Sequence, residues 1–261
     1  MADSPIFEYD GIAIEEPDYR FILELERAVG KKLKIQLATT ADKYDLEHVI
    51  VFEHHVQSFC DRKWNDLRAL PASIANLAYL KYLFIENGHH LAQIPRTITR
   101  CTSLRSAHFL GFDELPGIVC DLPSLKELKA NPIRLPDAIG SLRNLTWLDL
   151  SKSGLKSIPT SIGTLKKLEF LDLGETNITE LPGTIGNLRT LKELRIDGNF
   201  VEKLPVSMIK LTNLEVLGTD VAQYQIFTNK SSDVLEVLEK HCGIVKSEAS
   251  RIGFPYGEES E

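Results

Sequence analysis

Two adjacent histidine pairs and a nearby cysteine are the residues best suited to chemistry in this chain. The pairs are His54-His55 and His89-His90, and the cysteine is Cys60. Imidazole and thiolate groups bind zinc, so stacked loops could bring them around a metal. Neighbouring side chains on a strand point to opposite faces, however, and the spacing fits no common zinc pattern. The sequence favours solvated loop histidines, leaves metal binding as the alternative, and predicts no cofactor.

No catalytic motif stands elsewhere in the sequence. A P-loop, GxGxxG, GxSxG, HExxH and an EF-hand loop are all missing from it. The four cysteines are scattered without a C-x-x-C motif, which favours free thiols in a reducing compartment. We therefore expect a cytoplasmic protein that is not an enzyme.

The charge of the chain limits its partners. Its net charge is −7, from 30 Lys and Arg against 37 Asp and Glu. Nucleic acids and anionic membranes both require clustered basic residues, so neither is an expected partner. The sequence also shows no signal-peptide pattern at its start and no apolar run of about 18 residues that could span a membrane.

A repeat with a period of 23 residues governs the middle of the chain. Its marker, a Leu-Pro or Ile-Pro pair, recurs at Leu135, Ile158, Leu181 and Leu204. Fixed self-similarity of this length is typical of a solenoid, in which each unit buries its apolar face against the next. The L-x-L segment of each unit predicts a short strand, and the apolar residues at three-residue spacing after each proline predict a helical or 3₁₀ turn.

The best-preserved unit reads L-x-x-L-x-L-x-x-N-x-L-x-x-L-P. Its pattern residues are Leu191, Leu194, Ile196, Asn199, Val201 and Leu204. This pattern resembles the leucine-rich repeat, and the LPxxIGxLxxL half is similar to the intracellular class of Ras-group scaffolds. The resemblance implies an α/β solenoid with a curved parallel β-sheet on its concave face, short helical or 3₁₀ turns on its convex face, and a cap at each end. It also implies a protein-binding scaffold and brings no catalytic residue.

Three regions are predicted along the chain. Residues 1–67 form an N-terminal extension and cap, with a separate small domain as the alternative; residues 68–220 form the repeat array; residues 221–261 form a C-terminal capping helix and an acidic tail. The array is expected to hold about seven repeats, whose strands open at Leu80, Leu104, Leu125, Leu145, Leu168, Leu191 and Leu214.

The two caps are predicted in more detail. A helix over Pro17–Val29 should end at Gly30, and a second helix should begin near Ser231 and end at Gly243. A degenerate first repeat is predicted between the first helix and the array, with His54 in the asparagine position. Its pattern residues are Leu46, Val49, Val51, Val56 and Phe59.

Aromatic side chains are predicted on the outward face of the sheet. Strands lie about 4.8 Å apart, which places Trp147 beside Phe170, while Tyr82 and Phe84 form a second aromatic spot. We expect these side chains to be exposed and to bind a partner, because interfaces favour large aromatics. Stacking that merely stabilises the sheet is the alternative. If the side chains bind a partner, removing Trp147 or Phe170 should leave stability nearly unchanged.

A charged row is predicted on the same face. Asp149 and Asp172 lie on adjacent strands, where like charges disfavour each other, and Lys129 and Arg195 bracket them. Either these two bases compensate the pair or a basic partner does. The predicted partner-binding residues on the concave face are Tyr82, Phe84, His108, Lys129, Trp147, Asp149, Phe170, Asp172, Glu193 and Arg195.

The leading hypothesis is a monomeric, non-enzymatic signalling scaffold that binds a protein partner on its concave face. An alternative is the substrate-recognition module of a bacterial effector or ubiquitin-ligase-like protein, in which Cys60 or Cys242 would have to be the nucleophile. A third hypothesis is a structural unit that self-associates through its aromatic patch.

Overall fold

The computed structural model describes residues 4–39, 49–60, 67–91, 93–240 and 242–246. The strands in this part of the chain are β1 (Ile6–Tyr9), β2 (Ile12–Glu15), β3 (Ile35–Leu37), β4 (Val49–Phe52), β5 (His55–Cys60), β6 (Tyr82–Ile85), β7 (Ser106–Phe109), β8 (Glu127–Ala130), β9 (Trp147–Asp149), β10 (Phe170–Asp172), β11 (Glu193–Arg195), β12 (Val216–Thr219) and β13 (Gly243–Lys246). The α-helices are α1 (Glu16–Val29), α2 (Val221–Lys230) and α3 (Ser232–Glu239). The 3₁₀ helices are Ala72–Asn76, Gly88–His90, Arg96–Arg100, Gly117–Asp121, Asp137–Ser141, Thr160–Thr164, Gly183–Asn187 and Val206–Lys210.

One sheet of 11 strands runs through the described residues from β3 to β13, and its spatial order follows the chain. Every neighbouring pair in it is parallel except β4 and β5. Strands β6 to β12 are the seven predicted from the opening leucines, so that prediction is confirmed. Leu148, Leu171 and Leu194 lie side by side on β9, β10 and β11 and are fully buried. Each repeat thus contributes to one continuous apolar core.

Seven of the eight 3₁₀ turns in the described residues follow a proline, as the sequence predicts, and Gly88–His90 follows Asn87 instead. In the turn Gly183–Asn187, the N–H of Ile185 donates to the carbonyl of Pro182 at 2.9 Å. The asparagine of the repeat motif, Asn199, lies in the loop between β11 and the next 3₁₀ turn, where its side chain bonds the backbone. The side-chain amide of Asn199 donates to the carbonyls of Leu173 (2.7 Å) and Ile196 (3.0 Å). It therefore satisfies backbone groups that the loop leaves without strand partners.

The N-terminal end of the core is covered by α1, and the helix predicted over Pro17–Val29 is confirmed. Phe21 and Leu25 are fully buried. The helix ends where Gly30 adopts a left-handed φ of 68°, and the Gly30 N–H donates to the carbonyl of Glu26 at 2.8 Å. A hairpin of β1 and β2 precedes α1 and is absent from the sequence-based expectations.

The predicted degenerate first repeat is wrong. Strands β4 and β5 pair antiparallel, and the turn between them places Glu53 and His54 at positive φ values of 48° and 70°. A repeat would send the chain around the core after one strand, whereas this tight turn returns it at once. Leu46, the first residue of that predicted pattern, lies outside the described residues. Strand β5 pairs in parallel with β6, so it adds a strand to the outward face.

The C-terminal end differs from the predicted single helix. Two helices, α2 and α3, follow β12, and Asp220 caps α2 by accepting a hydrogen bond from the Gln223 N–H at 2.8 Å. Gly243 does not end a helix but begins β13, which pairs with β12. The buried side chains of α3 include Val234, Leu235 and Leu238. The predicted acidic tail lies outside the described residues.

Within the described residues, no helix combines the length and the apolar character needed to cross a membrane.

Candidate functional site

The parallel register builds two rows of side chains on the outward sheet face, the face that alternates with the core leucines. The first row is Tyr82, Ser106, Glu127, Trp147, Phe170, Glu193 and Val216. The second row is Phe84, His108, Lys129, Asp149, Asp172, Arg195 and Gly218. All ten predicted site residues stand in these rows, in the predicted order. Their neighbours across the strands are therefore the predicted ones.

Trp147 and Phe170 form a stacked pair at the centre of the first row. Their ring centroids lie 3.5 Å apart with an interplanar angle of 9°. Trp147 is half-buried, but Phe170 is only 5% exposed, so the predicted exposure of Phe170 is wrong. The reason is that Trp147 covers one face of its ring, while the guanidinium carbon of Arg195 lies 5.9 Å from the ring centroid.

The second aromatic spot is also more buried than predicted. Tyr82 is 5% and Phe84 2% exposed, and with Cys60 they form a cluster separate from the main core. Strand β5 explains part of this difference, since it places Cys60 directly beside Phe84. His108 packs on the other side, with its ring centroid 4.3 Å from that of Phe84. This end of the outward face thus has fewer accessible aromatic atoms than the sequence suggests.

The charged row is only partly self-compensated. The Lys129 Nζ lies 3.6 Å from Asp149 Oδ2, so one of the two predicted flanking bases pairs with a carboxylate. Arg195 instead donates to Glu193 on its own strand. Among the described residues, no lysine or arginine forms an ion pair with Asp172. Of the two bases predicted to flank the aspartates, only Lys129 therefore forms an ion pair with one of them.

Asp172 is the most perturbed carboxyl group of the face. It is 8% exposed, and its Oδ1 accepts a hydrogen bond from the Gly174 N–H at 2.8 Å. The pKa of Asp172 is raised to about 6, mainly by burial and then by the charge of Asp149, against the opposing effects of the Gly174 N–H and Arg195. Asp197 also raises this pKa. Ionisation of Asp172 in the folded protein consequently lowers the free energy of unfolding.

Replacing Asp172 by asparagine should stabilise the protein at neutral pH. The folded-state pKa lies above the ordinary aspartate pKa of 3.8, so the folded state binds the proton more tightly than the unfolded state. Stability contributed by this group is present at low pH and is lost as the pH rises through about 6. We expect Asp172→Asn to add about 1–2 kcal/mol at pH 7, a gain that disappears near pH 4. Urea unfolding of both proteins across this range measures the difference.

The control for this measurement is Asp137→Asn, which makes the same charge change at an exposed residue on the turn side. A pH-independent gain in Asp172→Asn, or an equal gain in Asp137→Asn, would contradict the assignment of the effect to burial of the Asp172 carboxylate.

His108 and the histidine pairs do not form a shared centre. Burial and then Lys129 lower the pKa of His108 to about 3, so its ring is neutral at physiological pH. His55 lies 3.4 Å from Asp18 and 3.5 Å from Glu15, and its ring stacks on Tyr79. It is therefore not the solvated loop residue that the sequence favours.

His89 and His90 make separate contacts from those of His55. The rings of His89 and His90 have centroids 4.0 Å apart, and His90 Nδ1 lies 3.2 Å from an Arg68 guanidinium nitrogen. In the ranges that the structure covers, no group of three or more His, Cys, Asp or Glu side chains is arranged to hold a metal.

Sequence reasoning missed Asp18, which joins the N-terminal helix to the sheet. Asp18 is 2% exposed, and its Oδ1 accepts a hydrogen bond from the Val56 N–H at 2.8 Å. Its pKa is raised by burial, while the Val56 N–H and His55 oppose that shift. The available signal was an acidic residue directly after Pro17, at the start of an amphipathic helix.

A comparison with protein families matches residues 137–241, less than half of the chain, to the family model described as leucine-rich repeat region. A search of curated proteins gives no significant match. The register of β6 to β12 and this match identify the fold as an α/β leucine-rich repeat solenoid.

Several solved structures are similar to this chain. A leucine-rich repeat protein from Leptospira interrogans has 24% identity and a TM-score of 0.49, over 66% of this chain and 52% of that one. An internalin from Listeria monocytogenes has 20% identity and a TM-score of 0.46, over 71% and 60%. The leucine-rich repeat ectodomain of a plant membrane receptor kinase from Arabidopsis thaliana, in complex with CASPARIAN STRIP INTEGRITY FACTOR 2, has 24% identity and a TM-score of 0.46, over 67% and 22%. The chain spans about half of the first structure's length and less than two thirds of each of the others.

Proposed function

We propose that this leucine-rich repeat protein is a non-enzymatic scaffold that binds a protein partner through the outward face of its sheet, which is the concave face of the solenoid. Leucine-rich repeats generally serve as protein–protein interaction modules. The observation that carries the proposal is the half-buried Trp147, stacked on Phe170 among the charged side chains of the second row. Interface hot spots favour such aromatic residues, surrounded by groups that exclude water.

The proposal extends to the setting of the protein. Residues 1–67 act as the N-terminal cap of the array at 68–220, and residues 221–261 supply its C-terminal cap and an acidic tail. The protein is a cytoplasmic monomer that works in signalling, a role suggested by the similarity of its LPxxIGxLxxL pattern to the intracellular Ras-group scaffolds. The buried faces of α1 and α3 support the assignment of caps. The four cysteines form no disulfide bonds, which fits a reducing compartment.

The buried cysteines support the non-enzymatic part of the proposal. Burial raises the pKa of Cys242 to about 11 and that of Cys101 to about 12. Cys60 is 1% exposed. A nucleophilic cysteine needs an accessible thiolate, so none of these positions suits thiol catalysis.

Removing the aromatic pair should weaken partner binding. The Trp147→Ala, Phe170→Ala double variant and the wild type are used to capture proteins from lysate, and each captured protein is then purified and tested for direct binding. We expect a direct partner to lose at least about tenfold in affinity for the variant, because truncating a central aromatic hot spot costs about 2 kcal/mol or more.

The burial of Phe170 changes the expected stability of this variant, which the sequence alone predicts to be nearly unchanged. We expect a loss of about 1–3 kcal/mol, so circular dichroism must show that the variant is folded at the working temperature. Phe200→Ala is the matched control, because Phe200 is 64% exposed and stands outside both rows. A direct partner that binds all three proteins equally would place the site elsewhere.

A further inference from the structure

Basic side chains of the array are concentrated at one edge of the sheet. Each strand from β6 to β12 is preceded by a six-residue loop that begins at the last residue of a 3₁₀ turn, from 76–81 before β6 to 210–215 before β12. We call these seven loops together the basic flank. They contain ten Lys or Arg residues against three Asp or Glu residues, in a chain with a net charge of −7. The bases are scattered along the sequence, and the repeat brings them to one side of the molecule.

The loops of the basic flank form one continuous surface. The Arg105 N–H donates to the carbonyl of Lys81 at 3.0 Å, and the Lys126 N–H donates to the carbonyl of Arg105 at 2.8 Å, so these three bases stand on neighbouring loops. Further along the flank, Lys167 Nζ donates to Asn144 Oδ1 at 2.8 Å. Because neighbouring strands lie about 4.8 Å apart, the seven loops extend over about 30 Å.

Most bases of the basic flank are exposed to solvent and lack an ion pair within the described part of the chain. Nine of the ten are exposed, and the tenth, Lys81, is half-buried. The ion pair of Lys192 with Glu169, at 2.6 Å, compensates one of them. Arg105 and Lys126 form no ion pair with the carboxylates in the described ranges. The flank therefore keeps an excess of uncompensated positive charge.

The opposite edge of the same sheet carries the opposite charge. The loops that leave β6 to β11, up to the residue before each Leu-Pro or Ile-Pro pair, contain seven Asp or Glu residues against four Lys or Arg residues. Since these strands are all parallel, their entry loops lie at one edge of the sheet and their exit loops at the other. An anionic partner is therefore attracted to the basic flank and repelled by the far edge.

We propose that the basic flank binds an acidic segment of a protein partner. Complementary charge steers a partner to such a surface and fixes its orientation there. An extended segment of about nine residues spans the flank's length of about 30 Å. The flank lies outside the two rows of the outward face, so this inference goes beyond the proposed function and does not depend on it.

The size and composition of the basic flank favour a protein segment over other anionic partners. Membranes and nucleic-acid duplexes extend beyond the flank, which brings further negative charge close to the acidic edge of an acidic chain. Single-stranded nucleic acids use exposed aromatic rings among basic side chains as stacking platforms. The aromatic residue of the seven loops is Tyr79, and its ring is stacked on His55 at a centroid distance of 3.9 Å. A short acidic segment meets neither obstacle.

Binding of short peptides to the full chain tests the inference without knowledge of the natural partner. The probe is a fluorescein-labelled Gly-Glu repeat peptide of about ten residues, compared with the uncharged Gly-Gln peptide by fluorescence anisotropy. We expect the Gly-Glu peptide to bind at least about tenfold more tightly at about 50 mM NaCl, and most of this difference to disappear at about 300 mM, because exposed charges are screened. The Arg105→Glu, Lys126→Glu variant should lose about tenfold in affinity for the Gly-Glu peptide.

The matched control is Arg134→Glu with Lys156→Glu, which makes the same charge change at exposed positions in the exit loops. Circular dichroism must show that both variants are folded. Equal losses in the two variants would mean that the peptide senses only the net charge, which would overturn the inference. Equal binding of the Gly-Glu and Gly-Gln peptides would overturn it as well.

Three further measurements test other occupants of the basic flank. Oligothymidylate or phosphatidylserine vesicles that bind the wild type more tightly than the Gly-Glu peptide does, and that lose affinity for the Arg105→Glu, Lys126→Glu variant, would make a nucleic acid or a membrane the occupant. Dimerisation in sedimentation velocity that the same variant abolishes would make a second copy of the chain the occupant. Each of these results would overturn the inference.

The two proposals fail separately. A Gly-Glu peptide that binds the Arg105→Glu, Lys126→Glu variant as tightly as the wild type would overturn the inference about the basic flank and leave the proposed function in place. A direct partner that the Trp147→Ala, Phe170→Ala variant binds as tightly as the wild type would contradict the proposed function and leave the inference about the basic flank in place.

Discussion

Leu171→Asp is expected to unfold the repeat array. Leu171 is fully buried at the centre of β10, between Leu148 and Leu194 on the adjacent strands. The substitution removes a core leucine, at a cost of about 3–5 kcal/mol, and adds the burial of a carboxyl group that finds no partner there. The total is comparable with the whole stability of a domain, which is about 5–15 kcal/mol.

Circular dichroism during heating measures this effect as the loss of the cooperative transition. Leu171→Ile keeps the volume of the side chain and should cost less than about 1.5 kcal/mol. Lys167→Asp introduces the same new residue at an exposed position near the same strand and should change the melting temperature little. A Leu171→Asp protein that melts like the wild type would mean that the side chains of β10 point the opposite way, because a shift of one residue exchanges the two faces of a strand.

The regular part of the array follows from the sequence because its geometry is periodic. Once the period places Leu171 in the core, the alternation of a strand places Phe170 and Asp172 on the other face, and the repeat places Trp147 and Asp149 beside them. Every cross-strand neighbour in the two rows is fixed by this arithmetic. The ends of the solenoid lack the period, and there the sequence-based predictions are less accurate.

The wrong prediction of a repeat unit at β4 and β5 shows why the ends of the solenoid are harder to predict. Alternating apolar residues such as Val49, Val51 and Val56 suit a repeat unit and a hairpin equally well, and the turn residues Glu53 and His54 include no glycine or asparagine to mark a tight turn. Only the contacts with α1 and β6 distinguish the two structures. Such long-range contacts are not encoded in a local pattern.

The burial of side chains and their ion pairs on the outward face could not be predicted from the sequence either. Arg195 has two carboxylate neighbours, Glu193 on its own strand and Asp172 on the adjacent strand. Its side chain forms an ion pair with Glu193. That choice covers Phe170 and leaves Asp172 without an ion pair among the described residues. The row of residues is predictable from the repeat, whereas the electrostatic character of the site depends on one side-chain conformation.

Gly186→Ala is expected to destabilise the array strongly, although it adds a single methyl group. A Cβ at Gly186 would lie 2.1 Å from the carbonyl oxygen of Ser207 in the turn of the next repeat. Gly163 approaches the carbonyl oxygen of Thr184 in the same way, at 2.4 Å from its built Cβ. Because the clashing atoms are backbone atoms, the two turns must move apart. We expect a loss of about 1–3 kcal/mol in urea unfolding, the range of overpacked cores.

Gly183→Ala is the matched control, since Gly183 stands in the same 3₁₀ turn and its built Cβ meets nothing within 4 Å. Neither glycine has a positive φ, so the two substitutions differ in packing and not in backbone strain. Gly183→Ala should be neutral or should stabilise the protein by up to about 1 kcal/mol, because alanine reduces the freedom of the unfolded chain. Equal effects of the two substitutions would show that the turns are not in contact at Gly186. The glycine of the LPxxIG pattern would then need an explanation other than the close stacking of successive turns.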